Sequence, residues 1–304
     1  MSVSIDNAFI VAVDGAVTLA AQAMDSAFRG AVRVKPVTGK AWDVNTLGAF
    51  DLQLTTGKHQ DTPIANPEHG KRRGQILDYS IGVLIDQEDE LKTLINPQGE
   101  YTTELGYAQN RRFDRTVIAA LNANVATVTA NGITESVNAA GGVLTAFQGW
   151  DGTASVNHVI AHGSVGLTVA KVRQTKRLLD FQQAPQSGRH FVTSSYGLED
   201  LLADPQVTSA DFNTLRTLEA GTLNSRWMGF TWHFCDLMAI ASNIQANFAW
   251  HESAIEVGQG AIQQISVDKR SDKNNAIQVL AKKSIGAVRK LENWVVECDI
   301  DTTA

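Results

Sequence analysis

Two cysteines, Cys235 and Cys298, are all that the 304-residue chain carries. Two thiols far apart make neither a disulfide framework nor a zinc site, so buried, unreactive thiols are expected. Long apolar runs are missing as well: no stretch approaches the ~20 residues needed to cross a bilayer. The N-terminus, MSVSIDNAF, has no basic segment ahead of an apolar one and does not read as a secretory signal, which leads us to expect folding in the cytosol. A basic surplus is also lacking. The formal net charge of −6 argues against a dedicated nucleic-acid binder, and suits a protein that lies near DNA without adhering to it. What the chain does have is apolar material. At 43% hydrophobic residues it can build a real core, and its length points to two lobes or one domain with long extensions.

Residues 1–30 carry one apolar face, Phe9, Val13, Val17, Ala20 and Met24, the pattern of a helix that needs another surface to cover it. Residues 31–85 read differently. AVRVKPV alternates apolar and basic residues as a strand with one wet face does, and GQILDYSIGVLI near 74–85 is a second strand-like run. Between them runs a long stretch rich in Gly, Thr, Asn, Asp and Pro, including Gly39, Gly57, Pro63 and Pro67. Loops of such length in compact domains are functional or linkers. The reading is a protruding two-stranded arm, and a lone hairpin requires a partner surface.

The longest predicted helix spans 97–124. Pro97 suits a first turn, Glu100 and Glu104 suit the positive end of the dipole, and Leu105, Phe113, Val117, Ala120 and Leu121 share a face away from Arg111, Arg112 and Arg115. Residues 125–163 have the composition of short strands and turns. A second helix over 165–183 is expected to cover Leu167, Ala170, Gln174, Leu178 and Phe181. RHFVTSS reads as a buried strand, and SYGLEDLLAD as a short helix stopped at Pro205. Thr208 and Asp211 open DFNTLRTLEA, with Gly221 as a stop. WMGFTWHF, FAWHESAIEV, AIQVLAKKSIGAV and NWVVECDI are strand-like, so the chain is mixed α+β.

Catalytic signals are weak. His158 and His162 have an H-x-x-x-H spacing, which joins two imidazoles only on a helix, whereas VNHVIAHGS reads as strand and turn. Gly258 and Gly260 lack the third glycine of a dinucleotide fingerprint, and the Gly-Lys pairs at 39–40 and 57–58 lack the spacing of a phosphate loop. No G-x-S-x-G elbow occurs. The acidic run from Asp86 to Glu90 can bind a cation or act as acid and base, but a solvated charge run is the simpler reading. Lys71, Arg72 and Arg73 read as one half of an ion pair rather than a phosphate grip. The six tryptophans are scattered, as core and interface anchors are.

Three blocks of sequence resemble one family of tailed-bacteriophage major capsid proteins. The first, residues 61–101, contains Asp61-Thr62-Pro63, Arg72-Arg73, Asp78-Tyr79, the acidic Asp86 to Asp89 and Pro97 to Tyr101, ahead of the long helix. The second is RHFVTSSYGLEDLLADPQVTSADFNTLRTLEAGTL followed by Gly229-Phe230; the third is FAWHESAIEVGQG followed by QVLAKKSIGAVRKLENWVVE. The blocks stand in family order over most of the chain, and the match does not extend over 125–160. The resemblance implies the Hong Kong 97 (HK97-like) major capsid fold. On that footing 1–30 is an N-terminal arm, 31–85 an extended β-hairpin loop, 86–159 a peripheral domain with spine helix 97–124, 160–255 an axial domain, and 256–304 C-terminal strands of the peripheral domain.

It also implies a structural protein rather than an enzyme, with no cofactor. Copies would assemble into hexamers and pentamers of an icosahedral head around double-stranded DNA held non-specifically, in the virion, after assembly in host cytoplasm. Scaffolding and portal proteins are expected partners, a decoration protein is a further candidate, and no membrane is involved. Arg33, Lys35, Lys58, Arg72 and Arg73 are the candidate inter-subunit cations, with Asp86, Glu88 and Asp89 as acidic partners. Two alternatives stand beside this: an encapsulin-like cage of the same fold, and an α+β hydrolase or lyase using 86–90 with His158 or His162.

Overall fold

A computed structural model describes residues 25–48, 51, 52, 54, 62, 64, 66, 69–85, 98–122, 125–130, 133–138, 158–203 and 226–303. The described strands are β1 (Arg33–Pro36), β2 (Ala41–Leu47), β3 (His69–Gln75), β4 (Leu77–Ile85), β5 (Val125–Ala130), β6 (Ile133–Asn138), β7 (His158–Ile160), β8 (Arg189–Thr193), β9 (Arg226–Trp227), β10 (Phe230–Phe234), β11 (Ile240–Ala241), β12 (Ile244–His251), β13 (Ile255–Arg270), β14 (Ala276–Arg289) and β15 (Val295–Asp301). The described helices are α1 (Gln98–Asn122), α2 (Val169–Phe181) and α3 (Ser195–Ala203).

The helix predicted over 97–124 is α1. Its apolar residues Leu105, Phe113, Val117, Ala120 and Leu121 are all buried. Near its end, where carbonyls lack helical partners, the buried Arg289 donates to Leu121 O at 3.0 Å and ion-pairs with Glu292. The helical face expected from Phe9 to Met24, the acidic run from Asp86 to Glu90 and the segment DFNTLRTLEA lie outside the described residues.

The chain forms two compact units. The smaller takes 78–85, 98–112 and 262–284. There β14 lies between β13 and β4, and a small core joins Ile85, Leu105, Val279 and Ala281. Polar ties do much of the joining: Lys283 Nζ donates to Gln109 O at 2.9 Å, Ser284 bonds Asp78, and the Arg112 guanidinium lies 3.7 Å from the centre of the Tyr79 ring. Ile81, Leu84, Ile262, Ile265 and Val267 stay exposed.

The larger unit takes the described residues of 27–77, 113–261 and 285–303. Its main sheet runs β7-β15-β12-β8-β10-β9, with β11 attached to β12. β12 is antiparallel to β15 and β8, while β10 runs parallel to β8. One face meets α2 and α3: Phe191, Trp232, Val296, Cys298 and Ile300 pack with Val172, Leu179 and Leu201 in one cluster. The register of two that separates Val296, Cys298 and Ile300 is what puts all three on that face. Fully burying one such aliphatic or aromatic side chain contributes about 1.5–3 kcal/mol.

Two sequence expectations require correction. The strand-like runs at 31–37 and 74–85 are not partners of each other. β1 pairs in parallel with β13, β4 lies beside β14, and the hairpin forms from β2 and β3, within and at the edge of the stretch read as loop. The alternation of Trp42 and Val44, both buried, is the strand signal that the surrounding Gly, Thr and Asp masked.

The covered face of the second helix is also different. Buried residues on α2 are Lys171, Val172, Thr175 and Leu179; Ala170 and Gln174 are exposed, and Phe181 is 79% exposed. A lysine placed on the wet side by composition is drawn in because its amine donates to three carbonyls, His162 O at 2.8 Å and Val165 O and Asp299 O at 2.9 Å. The helix itself starts at Thr168, whose side chain caps Lys171 N.

Candidate assembly surface

The root of the β2–β3 hairpin is locked by one tryptophan. In the antiparallel register Ala41 faces Gln75 and Leu47 faces His69. Trp42 and Val44 turn inward to a cluster with Val37, Ile76 and Val288. The Trp42 indole then fills a slot walled by glycines from three parts of the chain. A methyl group on Gly74 would run into the Trp42 ring, one on Gly258 would come within 2.6 Å of it, and one on Gly286 would collide with the Gln75 carbonyl. Packing therefore explains Gly258, the first glycine of the Gly-x-Gly at 258–260.

The tip is the reverse. Leu47, Leu52, Leu54 and Ile64 are 58%, 96%, 85% and 89% exposed. Leu47 ends β2 and the other three lie on the connection beyond it, so four large apolar side chains at this end are left mostly exposed.

Charged residues flank the root. Arg73 on β3 sits opposite Asp43 on β2, and its Nε donates to the carboxylate at 2.9 Å. Arg33 reaches Glu252 at 3.9 Å, and Lys35 reaches Glu256 at 3.8 Å. Three of the predicted cations thus meet acids of their own chain, all in partly exposed positions where such a pair contributes about 0–1 kcal/mol. Arg72 stands on β3 opposite Val44. Lys58, Asp86, Glu88 and Asp89 lie outside the described residues. Sequence reasoning missed Trp42, Gly74, Gly258 and Gly286 as a set, since no local spacing links positions so far apart.

The groups that carry chemistry elsewhere are placed otherwise here. Burial pushes the Cys235 thiol up to about 11 and the Cys298 thiol up to about 12, far from a nucleophilic thiolate. His158 lies on β7 and His162 in the turn beyond it, where Ser164 N donates to His162 Nδ1. On β15, Glu297 is pushed up to about 7, first by burial and then by the neighbouring Asp299. Among the described residues no group of three or more His, Cys, Asp or Glu could hold a metal ion, and no helix is long and apolar enough to cross a membrane.

Comparison with known proteins bears on the family and the fold. Residues 5–301 match the family model described as phage capsid protein, and no curated protein matches the chain. Among solved structures, a chain of Mycobacterium phage Che8 is 14% identical with a TM-score of 0.69, covering 96% of each chain. The capsid of cyanophage P-SCSP1u gives 12% and 0.68 over 96% of this chain and 93% of its own. The capsid of Ralstonia phage GP4 gives 11% and 0.67 over 95% and 94%. With this fold and a match over nearly its whole length, the chain belongs to the phage capsid protein family, as an HK97-like structural major capsid protein of the virion that assembles into a multimeric shell.

Proposed function

We propose that copies of this chain close into hexamers and pentamers of an icosahedral head around double-stranded DNA, and that the hairpin tip seats on a neighbouring copy. The observation that carries this reading is the contrast on one hairpin: a root fixed by Trp42 and a tip exposing Leu47, Leu52, Leu54 and Ile64. A heterologous contact of that kind, repeated, generates rings. A neighbour's β13, where Ile265 and Val267 share an exposed face, offers apolar surface to receive the tip.

In this reading 1–30 is the N-terminal arm, 31–85 the extended loop, 86–159 and 256–304 the peripheral domain, and 160–255 the axial domain. Arg33, Lys35, Lys58, Arg72 and Arg73, with Asp86, Glu88 and Asp89, supply charge at the contacts. Scaffolding and portal proteins serve assembly in host cytoplasm, a decoration protein is a candidate outer partner, and packaged DNA is touched without sequence preference. The role is structural, with no catalytic site and no cofactor.

The register supplies a clean test. Leu47 and His69 face each other, so 48–68 can be replaced by an Asn-Gly turn that closes the same hairpin. The shortened protein is expected to fold and remain soluble while forming no closed shells in negative-stain micrographs. Closed shells from that variant would overturn the proposal.

A further inference from the structure

The sheet face opposite α2 and α3 holds two histidines outside the contacts proposed above. His190 on β8 and His233 on β10 stand side by side, with His190 Nδ1 2.9 Å from His233 Nε2. Aromatic rings enclose them: Trp250 stacks on His190 at 5.8 Å between centroids, and Phe28 lies 6.1 Å from His233 and 5.9 Å from Trp250.

Their partners fix the tautomers. His233 hydrogen-bonds the backbone of Ala27. That bond raises its basicity, so the ring donates and the carbonyl accepts. With Nε2 engaged by His190, the donor is Nδ1–H. Nε2 of His233 therefore accepts, and the hydrogen between the rings belongs to His190 Nδ1. His190 Nε2 is left with a lone pair, buried and without a hydrogen-bond partner among the described residues. Both rings are neutral, and both N–H groups are used.

What the rings hold is a short segment. Ala27 N donates to Asp114 at 3.0 Å, Ala31 N to Phe28 O at 2.9 Å, and Trp250 Nε1 to Ala31 O at 2.9 Å, while Phe28 is fully buried. Residues 27–31 lead straight into β1.

An added proton has one place to go, His190 Nε2. Among the described residues the new N–H would face no acceptor. The charged or titratable groups around His190 are His233 on β10, His251 on β12 and Arg226 on β9, all of which disfavour its cation. Asp114 on α1 is already occupied by Ala27 N–H. We propose that the histidine pair is an acid-released clamp on residues 27–31, holding the segment to the sheet while neutral and letting it go when His190 takes a proton.

The pH window follows from the same groups. Burial first, then the neighbouring His233, His251 and Arg226, hold His190 down from 6.5 to about 4, and burial lowers His233 as well. The released state binds the proton and the clamped state does not. Holding strength is therefore complete above 6.5 and drains as pH falls from 6.5 towards 4.

Hydrogen exchange of the full-length protein, read by mass spectrometry at about pH 7.5 and about pH 4.5 and corrected for the intrinsic pH effect, tests the clamp. The peptide covering 27–31 is expected to exchange about 50- to 100-fold faster at the lower pH, while peptides from β12 and α2 keep their protection. His190→Phe preserves ring packing and removes the His190 proton site, so the pH dependence of its 27–31 peptide should shrink. His233→Asn, which can still donate to Ala27 O and leaves the His190 proton site in place, should keep the dependence. Equal protection of 27–31 in the wild type at both pH values would overturn the clamp. So would a loss shared by β12 and α2, or an unchanged pH dependence in His190→Phe.

Discussion

The root and tip of one hairpin are built on opposite principles. At the root, Trp42 is buried among Val37, Val44, Ile76 and Val288, and glycines at 74, 258 and 286 are sacrificed to make room for it. At the tip, Leu52, Leu54 and Ile64 stand in water. The main sheet resembles the root: Trp232, Trp250, Phe191 and Phe230 are each at most 1% exposed. The difference separates two sources of stability. What is closed inside the chain decides whether a subunit folds, and what is left open decides whether subunits meet.

That division can be broken by mutation. The largest effect belongs to the sheet: Trp250→Ala removes a fully buried ring and its bond to Ala31 O, and is expected to cost about 3–5 kcal/mol in urea unfolding of the unassembled subunit. A loss under about 1 kcal/mol would show that the sheet is not the folding core. An intermediate effect belongs to the root. Gly74→Ala drives a methyl group into the Trp42 ring and should cost about 1–3 kcal/mol, with the loss largely absent in a Trp42→Ala background. Additive losses in that double-mutant cycle would contradict the slot. The smallest effect on the subunit belongs to the tip: Leu52→Lys with Leu54→Lys should leave unfolding within about 0.5 kcal/mol of wild type while blocking shell formation, read by sedimentation. Normal shells would place the contact elsewhere.

Elements with strong local periodicity were legible in the sequence. α1 was marked by Glu100 in its first turn and an apolar face through Leu105, Phe113, Val117 and Leu121, and β8 and β15 declared themselves through β-branched and aromatic runs. The fold class followed from these together with the ordered blocks. Pairing was not legible. That β1 would choose β13, more than two hundred positions away, depends on a parallel register no local pattern encodes. Lys171 shows the same limit in one residue: its burial depends on carbonyls at 162, 165 and 299, and composition places a lysine outside. Of the candidate contact residues, the charges were easy to name because charge is visible in a sequence. The Trp42 slot was not, because it exists only when three remote glycines converge.

That convergence limits how the loop can be exchanged. Residues 41–75 cannot be transplanted as a cassette into a related shell protein whose strands equivalent to β13 and β14 carry side chains at the positions of Gly258 and Gly286. The indole would arrive with nowhere to lie. A graft must bring both strand segments along, or replace Trp42 with a residue small enough to do without them.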